Sequence, residues 1–171
     1  PVHLLADGDE ALAALPDYLF DAQQSWLFKL TPAHLEALAY SGDGTYPGAH
    51  VIVVGGEQLR LDTLTHWQGE RLPQSTFVNE YGPTETVVGT SVFTVRNAAE
   101  RGALAGQVNV PIGRPIAGSR LWVVGAGEQL QPINSIGELY IGGAGVGQGY
   151  VNQAALSHER FTQFNGERVY K

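Results

Sequence analysis

Hydrophobic and polar positions repeat with two different textures along this chain. In the first half, short apolar or β-branched runs alternate with stretches of helical spacing. Val2 to Leu5, Trp26 to Leu30, His50 to Val54 and Ser75 to Val78 read as strands. Asp7 to Asp9 reads as a solvated turn. Asp9 to Gln24 is helical in composition, with Pro16 expected to break it or restart it as a first-turn proline. Thr31 and Pro32 predict the start of the next helix, Thr31 as N-cap and Pro32 at the first position, with Leu35, Leu38 and Ala39 as its apolar face. His34 falls on its surface. Ser41 to Gly48 is a glycine-rich loop, and Gln58 to Gln68 reads as a third helix with Leu61 and Leu64 inward. Strands and helices in alternation predict a parallel sheet with crossover helices.

After Thr90 the pattern changes. Ser91 to Val95 reads as a strand and Asn97 to Val110 as a polar, small-residue connection. From Pro111 the chain is glycine-rich, with strand signals at Ser119 to Val124 and Glu138 to Ile141 and no helical periodicity until Ala154 to Phe161. This predicts a smaller antiparallel β-barrel-like or sandwich piece. The expected class is α/β, divided near Asn97 into residues 1–96 and 97–171. No internal repeat is present.

Composition narrows the function. At 171 residues the chain is one ordinary domain or two small subdomains, and 43% apolar content argues against disorder. A net charge of −7 with scattered Lys and Arg argues against a nucleic-acid or anionic-membrane surface. No run approaches the roughly 18 apolar residues of a membrane span, and the start does not look like a signal peptide. There are no cysteines, hence no disulfide, thiolate site or Cys nucleophile, which fits a cytoplasmic setting. The absence of methionine suggests a chain cut from a longer one. His3, His34, His50, His66 and His158 lack metal-ligand spacing. The run Gly142 to Gly149, GGAGVGQG, admits no G-x-G-x-x-G and reads as a turn between strands.

The densest chemistry lies in Val78 to Thr90, VNEYGPTETVVGT, a polar loop expected at a strand end, where α/β sheets bind ligands. Pro83 fixes the turn and restricts Gly82 before it. Thr84 can donate to a phosphate oxygen, and Glu85 can hold magnesium, which takes one or two carboxylates plus substrate phosphates. Tyr81 offers a flat face to a purine, and Asn79 can bond a base edge.

The string NxYGPTE resembles the adenine- and magnesium-binding motif of adenylate-forming enzymes, in the form found in adenylation domains of nonribosomal peptide synthetases. Gly55-Gly56-Glu57 resembles the family's GGE element. Gly137 to Phe161 resembles its GELxIxGxGxARGYxNxPxxTxxxF motif, with Gln148 in place of the usual Arg and Ala154 where Pro is common. Val169-Tyr170-Lys171 looks like the opening of Y-x-TGD. The chain contains no TSGTTGxPKG phosphate loop, no FDxS segment, no TGD aspartate and no C-terminal subdomain lysine. The resemblance therefore covers the middle of such a domain, a flavodoxin-like parallel subdomain and part of a β-barrel subdomain, expected to be inactive alone.

The resemblance implies that an amino acid and ATP give an aminoacyl adenylate and pyrophosphate, the acyl group then passing to a phosphopantetheine thiol on a partner carrier protein, with condensation domains as further partners. It implies Thr84 and Glu85 as catalytic residues and Glu85 as the Mg2+ ligand. Gly56, Asn79, Tyr81, Gly82 and Thr84 would contact ATP or AMP. Lys29, Val53, Gly55, Glu80, Val88 and Gly89 would contact the amino acid side chain. Gly55 and Gly89 leave room, and Val53 and Val88 are apolar walls. Lys29 and Glu80 are read as a buried opposite-charge pair, costly enough to need a reason. A side-chain carboxamide supplies one, and the combination also resembles the family's asparagine-selecting pocket. L-asparagine is the expected substrate and aspartate the second. Two other readings stay open: a non-catalytic substrate-selecting or protein-interaction fragment, and an acyl-CoA ligase-type enzyme.

Overall fold

The structure is a computed structural model that describes residues 9–42 and 44–171. The expected strand at Val2 to Leu5 and most of the expected turn at Asp7 to Asp9 lie outside those residues. The described chain forms two compact units. One comprises the residues up to Asn79 together with Phe93–Pro111, the other Glu80–Val92 and Ile112–Lys171. A single cut at 96–97 therefore does not describe the division. Residues 97–111 stay with the first unit because the chain returns to pair there: Leu61 N–H donates to Val108 O at 3.0 Å and Val110 N–H to Leu59 O at 2.9 Å. Leu104 and Val110 join its core.

The first unit holds strands β1 (Leu27–Leu30) and β2 (Val51–Gly55) and most of β3 (Thr76–Tyr81) and β4 (Ser91–Val95), which are neighbours in that order. β1 and β2 are parallel, as the alternating pattern predicts. Helix α1 (Asp9–Leu19) carries Pro16 within it. Helix α2 (Pro32–Leu38) begins as expected, with a further device: Thr31 Oγ1 accepts from His34 N–H at 3.2 Å, and His34 Nδ1 accepts from Thr31 N–H at 3.1 Å. His34 thus fills the place Glu or Gln takes in a capping box. Helix α3 (Leu61–Leu64) runs into a π-helical turn, Thr65–Arg71, closed by Leu72 N–H to Trp67 O at 2.7 Å. Asn97 to Val110 is not wholly irregular. Asn97 Oδ1 accepts from Glu100 N–H at 3.0 Å and caps α4 (Ala98–Gly102). The core gathers Phe28 and Leu30 of β1, Ile52 and Val54 of β2, Leu35 and Leu38 of α2, Leu64, Trp67 and Phe77.

In the second unit, β5 (Arg114–Pro115) pairs antiparallel with Ser91 and Val92. Strands β6 (Ser119–Val124), β7 (Glu138–Gly143), β8 (Phe161–Phe164) and β9 (Glu167–Tyr170) form an antiparallel sheet in the order β6-β7-β9-β8. The sheet is open, with β6 and β8 at its edges, so the antiparallel piece is not a closed barrel. Val124, Tyr140 and Val169 form its small core, with Trp122 and Phe164 against them. Asn165 and Gly166, at φ 50° and 82°, make the β8–β9 turn, where positive φ is required at both positions. Helix α5 (Ala154–Arg160) precedes β8.

Candidate functional site

Within the first unit, the carboxyl ends of β1 and β2 lie side by side, and Lys29 is in register with Val53. Lys29 is exposed and Val53 half-buried, while Gly55 is the buried last residue of β2. Lys29 is exposed and Glu80 only half-buried, so these charges are not the buried pair expected from the sequence. Neither charge is deeply desolvated, so no large burial cost has to be explained. Gly56 has φ +89°, a left-handed conformation that glycine adopts without strain. Glu57 then turns its Oε2 to accept from Ala33 N–H, 3.2 Å away in the first turn of α2.

The motif is not all loop. Asn79, Glu80 and Tyr81 are the last residues of β3, which runs three residues beyond the expected end at Val78. Asn79 is buried, and its Nδ2 donates to the carbonyls of Val110 at 3.2 Å and Pro111 at 2.9 Å. Both donors are engaged, so the capacity its side chain has left is that of an acceptor.

In the second unit, residues 81–90 close into a tight loop. Thr90 N–H donates to Tyr81 O at 2.8 Å, and the buried hydroxyls of Thr86 and Thr90 lie 2.8 Å apart. A Cβ on Gly82 would overlap Val88 O and lie 2.7 Å from Thr90 Oγ1, so the turn demands glycine there. Thr84 to Thr86 form one turn of 3-10 helix, with Thr84 exposed and Glu85 half-buried. Val87 and Val88 follow at φ 64° and 62°. Two successive β-branched residues in the left-handed region are strained, a condition that clusters at functional sites. Gly89 leaves space beside Glu80: a Cβ there would lie 2.8 Å from Glu80 Oε1.

The same unit brings a distant residue to Glu85. Tyr150 Oη donates to Glu85 Oε1 at 2.5 Å, and Gly147 N–H donates to the Glu85 carbonyl at 2.8 Å. The Tyr150 bond is the main reason the Glu85 carboxyl sits below the usual carboxylate range. Its own backbone N–H, Tyr170 and the Arg160 charge act the same way, against partial burial. The Tyr150 phenol is pushed well above its ordinary value by donating to that carboxylate, then by burial and by Tyr170. Tyr81 is raised by burial, then by Tyr170. Glu85 is therefore an ionised, oriented carboxylate. Tyr150 is the site residue that sequence reasoning missed. It stands inside the Gly137–Phe161 motif, but nothing local signals a bond across 65 positions.

No group of three or more His, Asp or Glu that could bind a metal occurs among the described residues. One ionised carboxylate beside an exposed hydroxyl fits magnesium carried in with a nucleotide, which keeps waters and phosphate oxygens as its other ligands. No helix among the described residues is long and apolar enough to cross a membrane.

Known proteins resemble this chain along most of its length. The family model described as AMP-binding enzyme matches residues 4–151. Bacitracin synthase 3 of Bacillus licheniformis is 37% identical over 157 residues, which is 90% of this chain and 2% of that synthase. A four-domain nonribosomal peptide synthetase solved with AMP and glycine superposes with a TM-score of 0.74 at 27% identity, over 92% of this chain and 11% of that one. PA1221, a nonribosomal peptide synthetase protein with adenylation and carrier (PCP) domains, gives a TM-score of 0.72 at 26% identity, over 94% of this chain and 31% of its own. The chain thus spans a small part of each relative. It belongs to the AMP-binding enzyme family, and within that family to the adenylation domains of nonribosomal peptide synthetases.

Proposed function

We propose that these residues serve an adenylation domain that activates an amino acid with ATP, giving an aminoacyl adenylate and pyrophosphate before transfer to a carrier-protein phosphopantetheine thiol. The observation that carries the proposal is the fixed, ionised Glu85 carboxylate beside the exposed Thr84 hydroxyl at the end of β3. Glu85 would hold Mg2+, which when bound neutralises charge on the phosphates. Thr84 donates to the α-phosphate, Tyr81 stacks on adenine, and the Asn79 carbonyl oxygen accepts from its exocyclic amine. Gly56 and Gly82 let backbone approach the nucleotide. Such groups position reactants and stabilise charge, and the amino acid carboxylate itself attacks the α-phosphate.

The finer proposal is that the side chain selected is that of L-asparagine. On this reading Lys29 would supply a donor for the carboxamide oxygen and Glu80 an acceptor for its nitrogen, and Val53, Gly55, Val88 and Gly89 are the family's other side-chain positions. Aspartate would satisfy Lys29 but set a second carboxylate against Glu80. The test is amino-acid-dependent pyrophosphate exchange across all twenty amino acids, using an adenylation domain that contains this chain. Asparagine should give the highest rate, since a site built for a polar group rejects analogues that leave its partners unpaired. A preference for an apolar or aromatic amino acid would end the asparagine reading, and absence of any exchange would end the activity itself.

A further inference from the structure

The glycine-rich segment after β7 reads in the sequence as a turn, yet it grips the Thr84–Thr86 turn at several points. Gly147 N–H donates to the Glu85 carbonyl, and Tyr150 Oη donates to the Glu85 side chain, so one segment holds both ends of the residue. Glycine permits the approach: a Cβ on Gly147 would lie 3.1 Å from Glu85 O, and one on Gly145 3.0 Å from Thr86 O.

Tyr150 is itself anchored. Its N–H donates to Ser157 Oγ at 2.8 Å, and its ring meets Phe161 edge-on with centroids 5.5 Å apart. The segment is braced from β9, where Arg168 donates to the carbonyls of Gly147 at 3.2 Å and Gln148 at 2.7 Å. A carboxylate on a one-turn helix would otherwise sample several rotamers. Here a phenol holds one oxygen, and the residue's own N–H and Tyr170 bear on the same carboxylate.

We propose that Tyr150 is a positioning residue for Glu85, holding Oε1 so that the carboxylate is fixed in the orientation in which it ligates the cation accompanying the nucleotide. This rests on the reading of Glu85 as that ligand. Groups that orient a metal ligand in this way typically change metal affinity by about 10–100-fold when removed.

Tyr150→Phe removes the hydroxyl and keeps the ring on Phe161. Two measurements on the whole chain decide the matter. The first needs no ligand: the Glu85 side-chain carboxyl 13C resonance at neutral pH, with Gly147 amide exchange followed alongside. Tyr150→Phe should shift or broaden the Glu85 signal while Gly147 keeps its protection. An unchanged Glu85 signal overturns the proposal, and so does general loss of protection, which would make Tyr150 a packing residue. The second is Mn2+ binding in the presence of AMP, read by water-proton relaxation. Tyr150→Phe should weaken it about tenfold, at the lower end of that range. If Glu85→Gln weakens binding and Tyr150→Phe does not, the positioning role is wrong. If Glu85→Gln has no effect, or the wild-type chain binds no Mn2+, the metal reading of Glu85 falls, and the carboxyl resonance alone decides whether Tyr150 orients it.

Discussion

Gly48→Ala should destabilise the first unit far more than a single methyl suggests. Gly48 is not in the left-handed region, so alanine meets no backbone objection there. The added Cβ would overlap His50 Nε2 and lie 2.9 Å from Cδ2. His50 cannot easily yield. It is buried, its Nδ1 accepts from Trp26 N–H at 3.2 Å, and its Nε2–H donates to Leu19 O at 3.0 Å. Its ring also packs edge-on against Phe28, with centroids 5.4 Å apart. Displacing the ring adds about 1–3 kcal/mol of overpacking strain to about 1–3 kcal/mol for each buried polar group left unpaired. With one of those bonds lost, a net loss of about 2–6 kcal/mol follows, a fall of roughly 4–24 °C in Tm for a chain of this size. Denaturant and thermal unfolding of a double-mutant cycle would measure it. In a His50→Ala background the obstacle is gone, and Gly48→Ala should be neutral or stabilising by about 0.4–1 kcal/mol through reduced unfolded-state entropy. Equal effects of Gly48→Ala in both backgrounds would refute the reasoning.

Three further outcomes are expected. Burial holds the His50 pKa below its ordinary value of 6.5, although the Leu19 carbonyl and the Asp21 charge pull it up. The unfolded state therefore binds the extra proton first, and this contribution is full above about pH 6.5 and lost as pH falls below it; His50→Gln should lack that part of the acid-side slope in unfolding scans. Val87→Asn should stabilise by about 0.5–1 kcal/mol in calorimetry, because a left-handed Val costs about 1–2 kcal/mol, asparagine tolerates that region, and Val87 is 69% exposed; destabilisation would mean its side chain holds the loop. In an adenylation domain containing this chain, Tyr81→Ala should weaken ATP binding by roughly 1–3 kcal/mol in a titration and leave amino acid preference unchanged, whereas unaltered ATP affinity would make Tyr81 a packing residue.

The parallel part of the fold was legible because its cues are local. The β-branched run before Gly55 and the Thr31–Pro32 start each declare an element within a few residues. What was lost fails that condition in different ways. Helix α4 spans five residues, too few for a helical period to register, and its one cue is the Asn97 cap. The π-helical turn reads as ordinary helix. Its departure accompanies the burial of Gln68, whose Nε2 donates to Ser75 O and Val95 O and whose Oε1 accepts from Arg101. Those are partners no window around Gln68 contains. The β8–β9 hairpin was available, since Asn165-Gly166 between apolar runs is a strong turn signal, but the pattern of α5 runs into Phe161 and hides where the strand begins. The boundary near Asn97 followed a change of texture, whereas the division follows pairing: residues 107–111 return to the strands and helices they bond, across a stretch that looks like linker.

At the candidate site the split is between chemistry and aim. Thr84, Glu85 and Tyr81 are readable as donor, acid and aromatic face because those capacities belong to the side chains. What each side chain can still do is set by neighbours. Asn79 has committed its two donors to Val110 and Pro111, so the capacity its side chain has left is that of an acceptor. Lys29 is exposed at the end of β1, which removes the desolvation argument for its charge. Glu85 is aimed by Tyr150 from a segment whose glycines read as mere turn. The low information content of that segment and its role have one physical origin: side chains at Gly145 and Gly147 would have announced a pattern, and they would also have pressed against the Thr86 and Glu85 carbonyls that the segment must approach. A sequence window can therefore identify groups able to touch a ligand, while the groups that aim them are found only where backbone comes close to backbone.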